Sequence, residues 1–300
     1  MVDITHKRTS LRWAIAEAIV RVSKPDTIQA IKDNRVPKGN VFEMAKTAGL
    51  LGVKKTPLLI PDCHPIPVEY SAVEYSMDGL DIRIRMEVKA IYRTGVEVEA
   101  MHGVSVVALT LYDMLKPIDK GVVIKHIRLL DKTGGKSDLR SKISSSVKTA
   151  LIVCSDAILS GQKEDKITPL VRDFLKSYEL DITKVIHIPD EELAIQDSLK
   201  QLKNHGMILM AGGTGLTPTD KTPEVVRPLL DREIPGIGET IRHYGDHRTP
   251  KSIMSRALGG MMGDSLLLAL PGSTAGMQDA LNALFPYLLT IVDKLNKAYE

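Results

Sequence analysis

The chain has 300 residues, of which 43% are hydrophobic and 26% charged, and a mass of 33.0 kDa; that size gives a prior of two domains, and that balance excludes wholesale disorder and a coiled coil. Net charge is +3, divided as 23 Lys and Arg against 17 Asp and Glu in residues 1–146 and 17 against 20 in the remainder, so the first half carries +6 and the second −3. The basic residues are dispersed and aromatics total 4%, which leaves few stacking platforms for nucleic acid and suits a small polyanionic ligand better.

In the first half, the pattern predicts helical segments from Leu11 to Val22 and Val41 to Leu51, then strands from Val68 to Met77 and Asp81 to Tyr92. An apolar helix from Val96 to Lys116 and a strand around Val122 to Leu130 follow. Paired antiparallel strands under helices make an α+β sandwich. The stretch Ser137 to Lys148 has no apolar periodicity and is rich in Ser and charge, so units 1–140 and 149–300 are expected, joined by a linker at 141–148. The second half opens on a buried strand from Thr149, then a helix Thr168 to Tyr178, a strand Lys184 to Ile188 and a helix Glu191 to Lys203. A strand Met207 to Met210, a glycine-rich loop, further helical stretches, a strand Ser265 to Leu270 and a helical tail to Glu300 complete it. Strands separated by helices imply a doubly wound α/β sheet.

Apolar runs such as Leu266 to Leu270 fall far short of the roughly 18 residues of a membrane span, and charges occupy the place of a secretory core near Met1, so a cytoplasmic protein without membrane partners is expected. Cys63 and Cys154 are too few for a disulfide scaffold or a four-ligand zinc site and read as reduced, buried thiols.

GGKS at 134–137 looks like the end of a P-loop, but Leu130 stands where that motif needs its first glycine. HExxH, paired CxxC and GxSxG do not occur. Polar clusters instead sit beside apolar segments: PKGN at 37–40, VKKT at 53–56, IPDCHP at 60–65, YRTGVEVEA at 92–100, LYDMLKP at 111–117 and DKTGGKSD at 131–138. Lys and Arg neutralise phosphate oxygens, glycines let backbone approach, and a Lys of lowered pKa carries protons. Glu97 and Glu99 lie in the first turn of the predicted long helix, where the dipole favours anions, while Asp113 and Lys116 share a face near its end. Taken singly, each also reads as ordinary surface electrostatics.

Together these clusters resemble the cyclic pyranopterin monophosphate synthase family of molybdenum cofactor biosynthesis, from Met1 to Asp138. The resemblance implies a sandwich of ferredoxin-like form and a substrate, cyclised dihydro-GTP, that is rearranged to the pyranopterin with loss of pyrophosphate and without a cofactor. It makes Lys38 and Lys116 the proton-transfer pair, with Asp113 orienting Lys116. His64, Glu97 and Glu99 would bind the ring and sugar, and Arg12, Arg93, Lys132 and Lys136 the triphosphate, with Lys54 secondary. The chain departs from that family at Asn40, Asp62, His102 and Gly103. His102, in an apolar helix, reads as a core histidine with its polar demand met.

In the second half, Gly212, Gly213 and Gly215 directly follow a strand, and four more clusters accompany them: CSD at 154–156, IPDEE at 188–192, IPGIGETIR at 234–242 and LPGS at 270–273. The strand-following clusters fall on one edge of the sheet, where doubly wound folds bind ligands. Asp156 alone also reads as a helix cap. The combination is similar to the molybdopterin adenylyltransferase family, which includes the domain fused into gephyrin-type proteins, over Thr149 to about Asn296. That similarity implies a Rossmann-like, molybdopterin-binding unit that transfers AMP from ATP to molybdopterin with Mg²⁺ bridging phosphates. Asp220 would hold Mg²⁺, and Asp190 would assist catalysis or metal binding. Gly212, Gly213, Thr214 and Gly215 would cradle phosphates with backbone N–H groups, Ser155 and Asp156 would bind substrate, and Glu239, Ser255, Gly272 and Ser273 would line the pocket.

The two resemblances imply non-consecutive steps of one pathway, with other pathway proteins as partners and a homo-hexamer of six 33.0 kDa chains with sites at subunit interfaces. A rival reading makes the second half a non-catalytic pterin-binding or scaffolding module.

Overall fold

The computed structural model describes residues 1–135 and 147–291, and the chain divides into two compact units, Met1–Asp138 and Leu139–Glu300. The first runs β1 (Ser10–Arg21), α1 (Pro25–Lys32), α2 (Val41–Leu59), β2 (Tyr70–Asp78), β3 (Asp81–Tyr92), α3 (Glu97–Leu115) and β4 (Val123–Thr133). Its strands form one antiparallel sheet ordered β2-β3-β1-β4.

The segment expected as a helix at 11–22 is the strand β1, paired on both sides. Ala14, Ala16 and Ala18 are strong helix formers, which disguises it; yet they recur with Val20 at every second residue and are fully buried, so they share the sheet face beneath α3. Asp119 fastens the end of this strand: its carboxylate accepts from Ser23 N at 2.8 Å, Ser23 Oγ at 2.5 Å, Thr27 Oγ1 at 2.9 Å and Gly121 N at 2.9 Å.

α3 is long and apolar enough to cross a membrane by length and composition, the one such helix among the described residues. Its apolar surface is used on two sides, against the sheet and against α2, with Ala100, Val104, Val107, Ala108, Leu111 and Leu115 fully buried. The helices cross closely because glycines face the partner. A Cβ on Gly49 would collide with Val107, and one on Gly103 would stand 2.5 Å from Val53 Cγ2 and 2.9 Å from Met86 Cε. Beside Gly103, His102 Nδ1 lies 3.0 Å from Thr56 Oγ1, its hydrogen-bond partner. α2 runs eight residues beyond its expected end at Leu51. Pro57 supplies no N–H for the Val53 carbonyl, and the Thr56 hydroxyl donates to it instead at 3.0 Å.

The second unit comprises β5 (Thr149–Cys154), α4 (Asp156–Leu159), α5 (Ile167–Lys176), β6 (Ile182–Ile188), α6 (Glu192–Lys200) and β7 (Met207–Ala211). It continues through α7 (Thr222–Val226), β8 (Arg232–Glu233), α8 (Pro235–Asp246), β9 (Leu258–Met262), β10 (Ser265–Leu270) and α9 (Thr274–Leu284). The sheet is ordered β6-β5-β7-β10-β9-β8; the first four strands are parallel, and β9 pairs antiparallel with both β10 and β8. The expected doubly wound sheet therefore gains a mixed edge. Successive residues of the parallel strands feed opposite cores: Leu151, Leu209 and Leu268 pack with α5, α8 and α9, while Ile152, Ile208 and Leu267 pack with α6 and α7.

β8 and β9 fall where further helical stretches were expected. The sequence of β9, LGGMM, reads as a turn, but its glycines are strand positions under a close neighbour: a Cβ on Gly260 would run into the Arg232 carbonyl, and one on Gly259 would stand 2.6 Å from Leu268 Cδ2. Lys136, linker residues 141–146 and tail residues 292–300 lie outside the described residues. α9 ends at Leu284, one residue before the Phe285–Pro286 bond, where proline disfavours helical backbone at the preceding position.

Candidate functional site

In the first unit the candidate residues gather at the two ends of α3. At its carboxyl end Asp113 lies between two ammonium groups: Lys38 Nζ donates to Oδ2 at 2.6 Å and to the Asp113 carbonyl at 3.0 Å, and Lys116 Nζ lies 2.8 Å from Oδ1. Lys38 arrives from the loop before α2, where Gly39 takes φ +94° and Asn40 caps the helix by accepting from Glu43 N at 3.1 Å. The hydrogen bonds from Lys116 and then Lys38 pull Asp113 down to about 2. The same bond to Asp113 pushes Lys116 up. A proton-carrying lysine of lowered pKa was the sequence-level expectation; here Lys116 is held as an ammonium, a proton donor.

At the amino end, Glu99 is buried, with Oε1 accepting from Cys63 Sγ at 3.3 Å and Oε2 without a partner. Burial pushes Glu99 up. Burial and the Glu99 carboxyl raise the Cys63 thiol to about 11. Lys132 Nζ donates to Glu97 Oε1 at 2.7 Å, and buried Arg12 donates to the carbonyls of Tyr92 at 3.1 Å and Arg93 at 3.2 Å. His64 Nε2 lies 2.9 Å from the Val2 carbonyl, while Asp62 meets the N-terminal amine at 2.5 Å, so that departure anchors the terminus. Gly134, in the failed P-loop pattern, has a packing role: a Cβ there would strike the Leu11 carbonyl. Glu99 and Asp113 are fourteen residues apart on one helix, or about 21 Å along its axis. One chain therefore does not bring the two clusters into a single site.

In the second unit the candidates converge on the carboxyl edge of the parallel strands. Ser155 and Asp156 follow β5, Asp190 follows β6, Gly212 to Asp220 follow β7, and Gly272 and Ser273 follow β10. Gly212 and Gly213 take φ +112° and +63°. Side chains there would collide with the Cys154 carbonyl and Thr222 Oγ1, and a Cβ on Gly272 would stand 2.8 Å from Gly212 Cα, so two loops touch backbone to backbone. Ser155 and Ser273 cap α4 and α9.

Burial raises Asp220, but Thr217 donors outweigh it, through N at 2.8 Å and Oγ1 at 2.5 Å, and hold the carboxyl below its ordinary range. Asp190 goes the other way: burial, then Asp156 and Asp220, push it up, and its Oδ1 has no partner. Asp156 is not the cap of α4, a place Ser155 takes; it is that helix's first residue, and its Oδ1 accepts a long 3.4 Å bond from Asp190 N.

Arg256, which no motif singles out, clamps this loop by donating to the Gly215 carbonyl at 2.7 Å and the Asp220 carbonyl at 2.6 Å while pairing with Glu224. A cavity of about 800 Å³ opens beside Gly213, Thr214, Gly215, Asp220, Ser255, Gly272 and Ser273, with Arg248 and Lys251 on its wall. Glu239 is not among its lining; it faces a separate groove on α8 with Arg242 and His243. Among the described residues no group of three or more His, Cys, Asp and Glu side chains is arranged to hold a metal by itself.

Residues 1–135 match the MoaC family, and residues 150–290 match a domain described as a probable molybdopterin binding domain. The chain is 36% identical over 303 residues to a molybdenum cofactor biosynthesis bifunctional protein of Synechococcus elongatus, covering 96% of this chain and 95% of that one. It is 35% identical over 288 residues to the protein of the same description in Chlorobaculum tepidum, covering 95% and 91%. The first unit is 49% identical over 139 residues to the cyclic pyranopterin monophosphate synthase of Geotalea uraniireducens, which spans 46% of this chain and 86% of that protein. Both units are thus matched within single relatives over nearly their whole lengths, and the chain belongs to the family of bifunctional molybdenum cofactor biosynthesis proteins.

Proposed function

We propose that the first unit converts cyclised dihydro-GTP to cyclic pyranopterin monophosphate and pyrophosphate, and that the second transfers AMP from ATP to molybdopterin. For the first reaction the supporting observation is the Lys38–Asp113–Lys116 cluster. Asp113 keeps Lys116 protonated and within reach of Lys38, so one ammonium gives up a proton as the other is held ready, which is acid/base work without a redox group. Arg12, Arg93 and Lys132 supply positive charge for the triphosphate, and Glu99, pushed toward its neutral form, donates a hydrogen bond to the ring. The roughly 21 Å between the two ends of α3 supports a site completed by a second copy of the chain, and hence the hexamer. The strand and helix order supports reading this unit as ferredoxin-like.

For the second reaction the supporting observation is the glycine loop with Asp190 and Asp220 beside a large cavity whose wall carries Arg248 and Lys251. The backbone N–H groups of the loop and these cations suit phosphate groups. Asp190 and Asp220 would hold Mg²⁺, an ion commonly bound by one or two carboxylates plus waters and substrate phosphates, and the buried, unpartnered Asp190 Oδ1 fits that role. When bound, the ion would neutralise charge on the bridging phosphate oxygens. A scaffold has no use for an orphaned buried carboxylate, which favours catalysis over the rival reading. Other proteins of the pathway supply molybdopterin between the two steps, in a cytoplasmic setting.

Two assays on the full chain test this: pyrophosphate release from cyclised dihydro-GTP, and formation of adenylylated molybdopterin from ATP. Both are expected. The first without the second would leave the scaffold reading; no pyrophosphate release by a folded chain would refute the first assignment.

A further inference from the structure

The cavity of about 800 Å³ beside the glycine loop has a second end, between α8 and α9, where Ile241 and Gly245 face Ala275, Gly276 and Asp279. The last three lie within one turn of α9 and share a face of it. Asp279 stands six residues beyond the cap Ser273, or about 9 Å along the helix axis from the glycine-loop end of the cavity. Asp279 is half-buried, and neither of its oxygens has a hydrogen-bond or ion-pair partner among the described residues. Burial pushes it up, and the charge that opposes this is Arg248 on the same wall. That guanidinium is held in place by Tyr244: Nη1 donates to the Tyr244 carbonyl at 2.6 Å, and Cζ stands 3.4 Å from the centre of the Tyr244 ring.

The other carboxylate on the wall, Asp220, takes its donors from Thr217. Asp279 therefore offers the cavity two open acceptors in one plane, a fork that fits a ligand carrying two N–H donors side by side. The edge of a 2-amino-4-oxo ring has that form, with N3–H parallel to one N–H of the 2-amino group. Adenine does not: its 6-amino N–H lies beside the N1 lone pair, which a carboxylate oxygen repels. A phosphate is repelled as well, so the carboxylate keeps phosphates at the glycine-loop end.

We propose that Asp279 selects the pterin in this cavity, its two carboxylate oxygens accepting from N3–H and the 2-amino group of a 2-amino-4-oxo ring whose phosphate lies at the glycine loop. This rests on the adenylyl-transfer reading of the second unit and deepens it: of the two substrates, the ring of molybdopterin, and not the adenine of ATP, lies between α8 and α9. Guanine presents the same edge as a pterin, so a guanine nucleotide is the competing source of that chemistry. A site built to hydrogen-bond a donor rejects the analogue that lacks it more strongly than an apolar wall rejects a change of shape, which makes one carboxylate sufficient for the choice.

The test measures equilibrium binding of molybdopterin to the full chain by ultrafiltration, in the parent, Asp279→Asn and Asp279→Glu, with melting curves to establish that each is folded. Binding at the first unit is common to all three and cancels in the comparison. Asp279→Asn turns one acceptor into a donor facing the 2-amino group, so affinity should fall about 10- to 100-fold, while Asp279→Glu retains part of it and ATP binds each chain alike. The same substitution should weaken 6-hydroxymethylpterin and leave its 2-oxo analogue, 6-hydroxymethyllumazine, unaffected. Should Asp279→Asn fail to fold, Asp279→Ser removes both acceptors and should lose as much. Equal molybdopterin affinity in parent and folded variant overturns the proposal. So does a loss that falls on ATP, which puts adenine in the cavity, or one that falls on GMP more than on 6-hydroxymethylpterin. A parent that binds molybdopterin through Asp279 yet transfers no AMP refutes the adenylyl-transfer reading and upholds this assignment.

Discussion

The two units place their candidate sites on different materials. In the second, the chemistry rides on backbone: four loops leave the carboxyl ends of β5, β6, β7 and β10 on one edge, and two of them touch at Gly212 and Gly272. In the first, an antiparallel sheet offers no such edge, because neighbouring strands end at opposite sides, and the candidates sit as side chains at the two ends of α3. A parallel sheet thus assembles a crevice within one chain, whereas the helix ends of the first unit stay about 21 Å apart within one chain.

The largest test of that contrast is separability. Lys116→Ala removes the ammonium held by Asp113 and is expected to lower pyrophosphate release by about 10²- to 10⁴-fold while AMP transfer continues at the parent rate. Asp220→Asn should do the reverse. A folded variant losing both activities would erase the distinction between the sites. Chelation sharpens it: on the proposal that a cation is held at Asp190 and Asp220, excess EDTA should silence AMP transfer and leave pyrophosphate release unchanged. AMP transfer that persists in EDTA would remove both aspartates from that role.

Complementation asks where the first site is completed. Lys116→Ala and Glu99→Gln strike opposite ends of α3, and each alone should be inactive. If a site combines the start of α3 from one chain with its end from another, coexpressing the two should restore up to about one quarter of parental sites, those formed from two intact halves. No recovery, in oligomers shown by light scattering to contain both chains, would place each site within one chain.

What the sequence made legible follows the same division. β3 and β10 lie at the boundaries their patterns predict, Asp81–Tyr92 and Ser265–Leu270, because a strict alternation or a continuous apolar run bounded by turns admits few other readings. β1 was hidden by alanines whose local preference is helical and whose small size is required by α3. β9 was hidden by glycines chosen for its neighbours. Among candidate site residues, Lys38, Asp113 and Lys116 were picked out by a family pattern, and the structure adds that one carboxylate joins them. Arg256 was not. Arg256 reaches carbonyls 41 and 36 residues away, so no local spacing encodes its clamp on the loop. Glu239 shows the converse error: a motif residue carried on a helix face that looks into another groove.

The smallest expected effect concerns stability, where the two units share a device. Asp119 in the first and Asp165 in the second are carboxylates ringed by donors: Ser23, Thr27 and Gly121 for one, Ile167, Thr168 and His187 for the other. Burial raises both, but the donors outweigh it and hold each at about 2, below the ordinary carboxylate value of 3.8. A depressed folded pKa means the stabilisation is complete above pH 3.8 and is lost as pH falls through about 2. Asp119 is 3% exposed against 18% for the Asp165 side chain, so its donors have less water to replace the carboxylate. Asp119→Asn should therefore cost the first unit about 1–3 kcal/mol at pH 7, and Asp165→Asn should cost the second unit less. Thermal unfolding of each variant against the parent at pH 7 and at pH 2 measures both, and the difference between parent and Asp119→Asn should shrink at the lower pH as the parent's carboxylate takes up its proton. A difference unchanged between the two pH values would show that packing, not the ionised carboxylate, fastens β1 to the loop after α3.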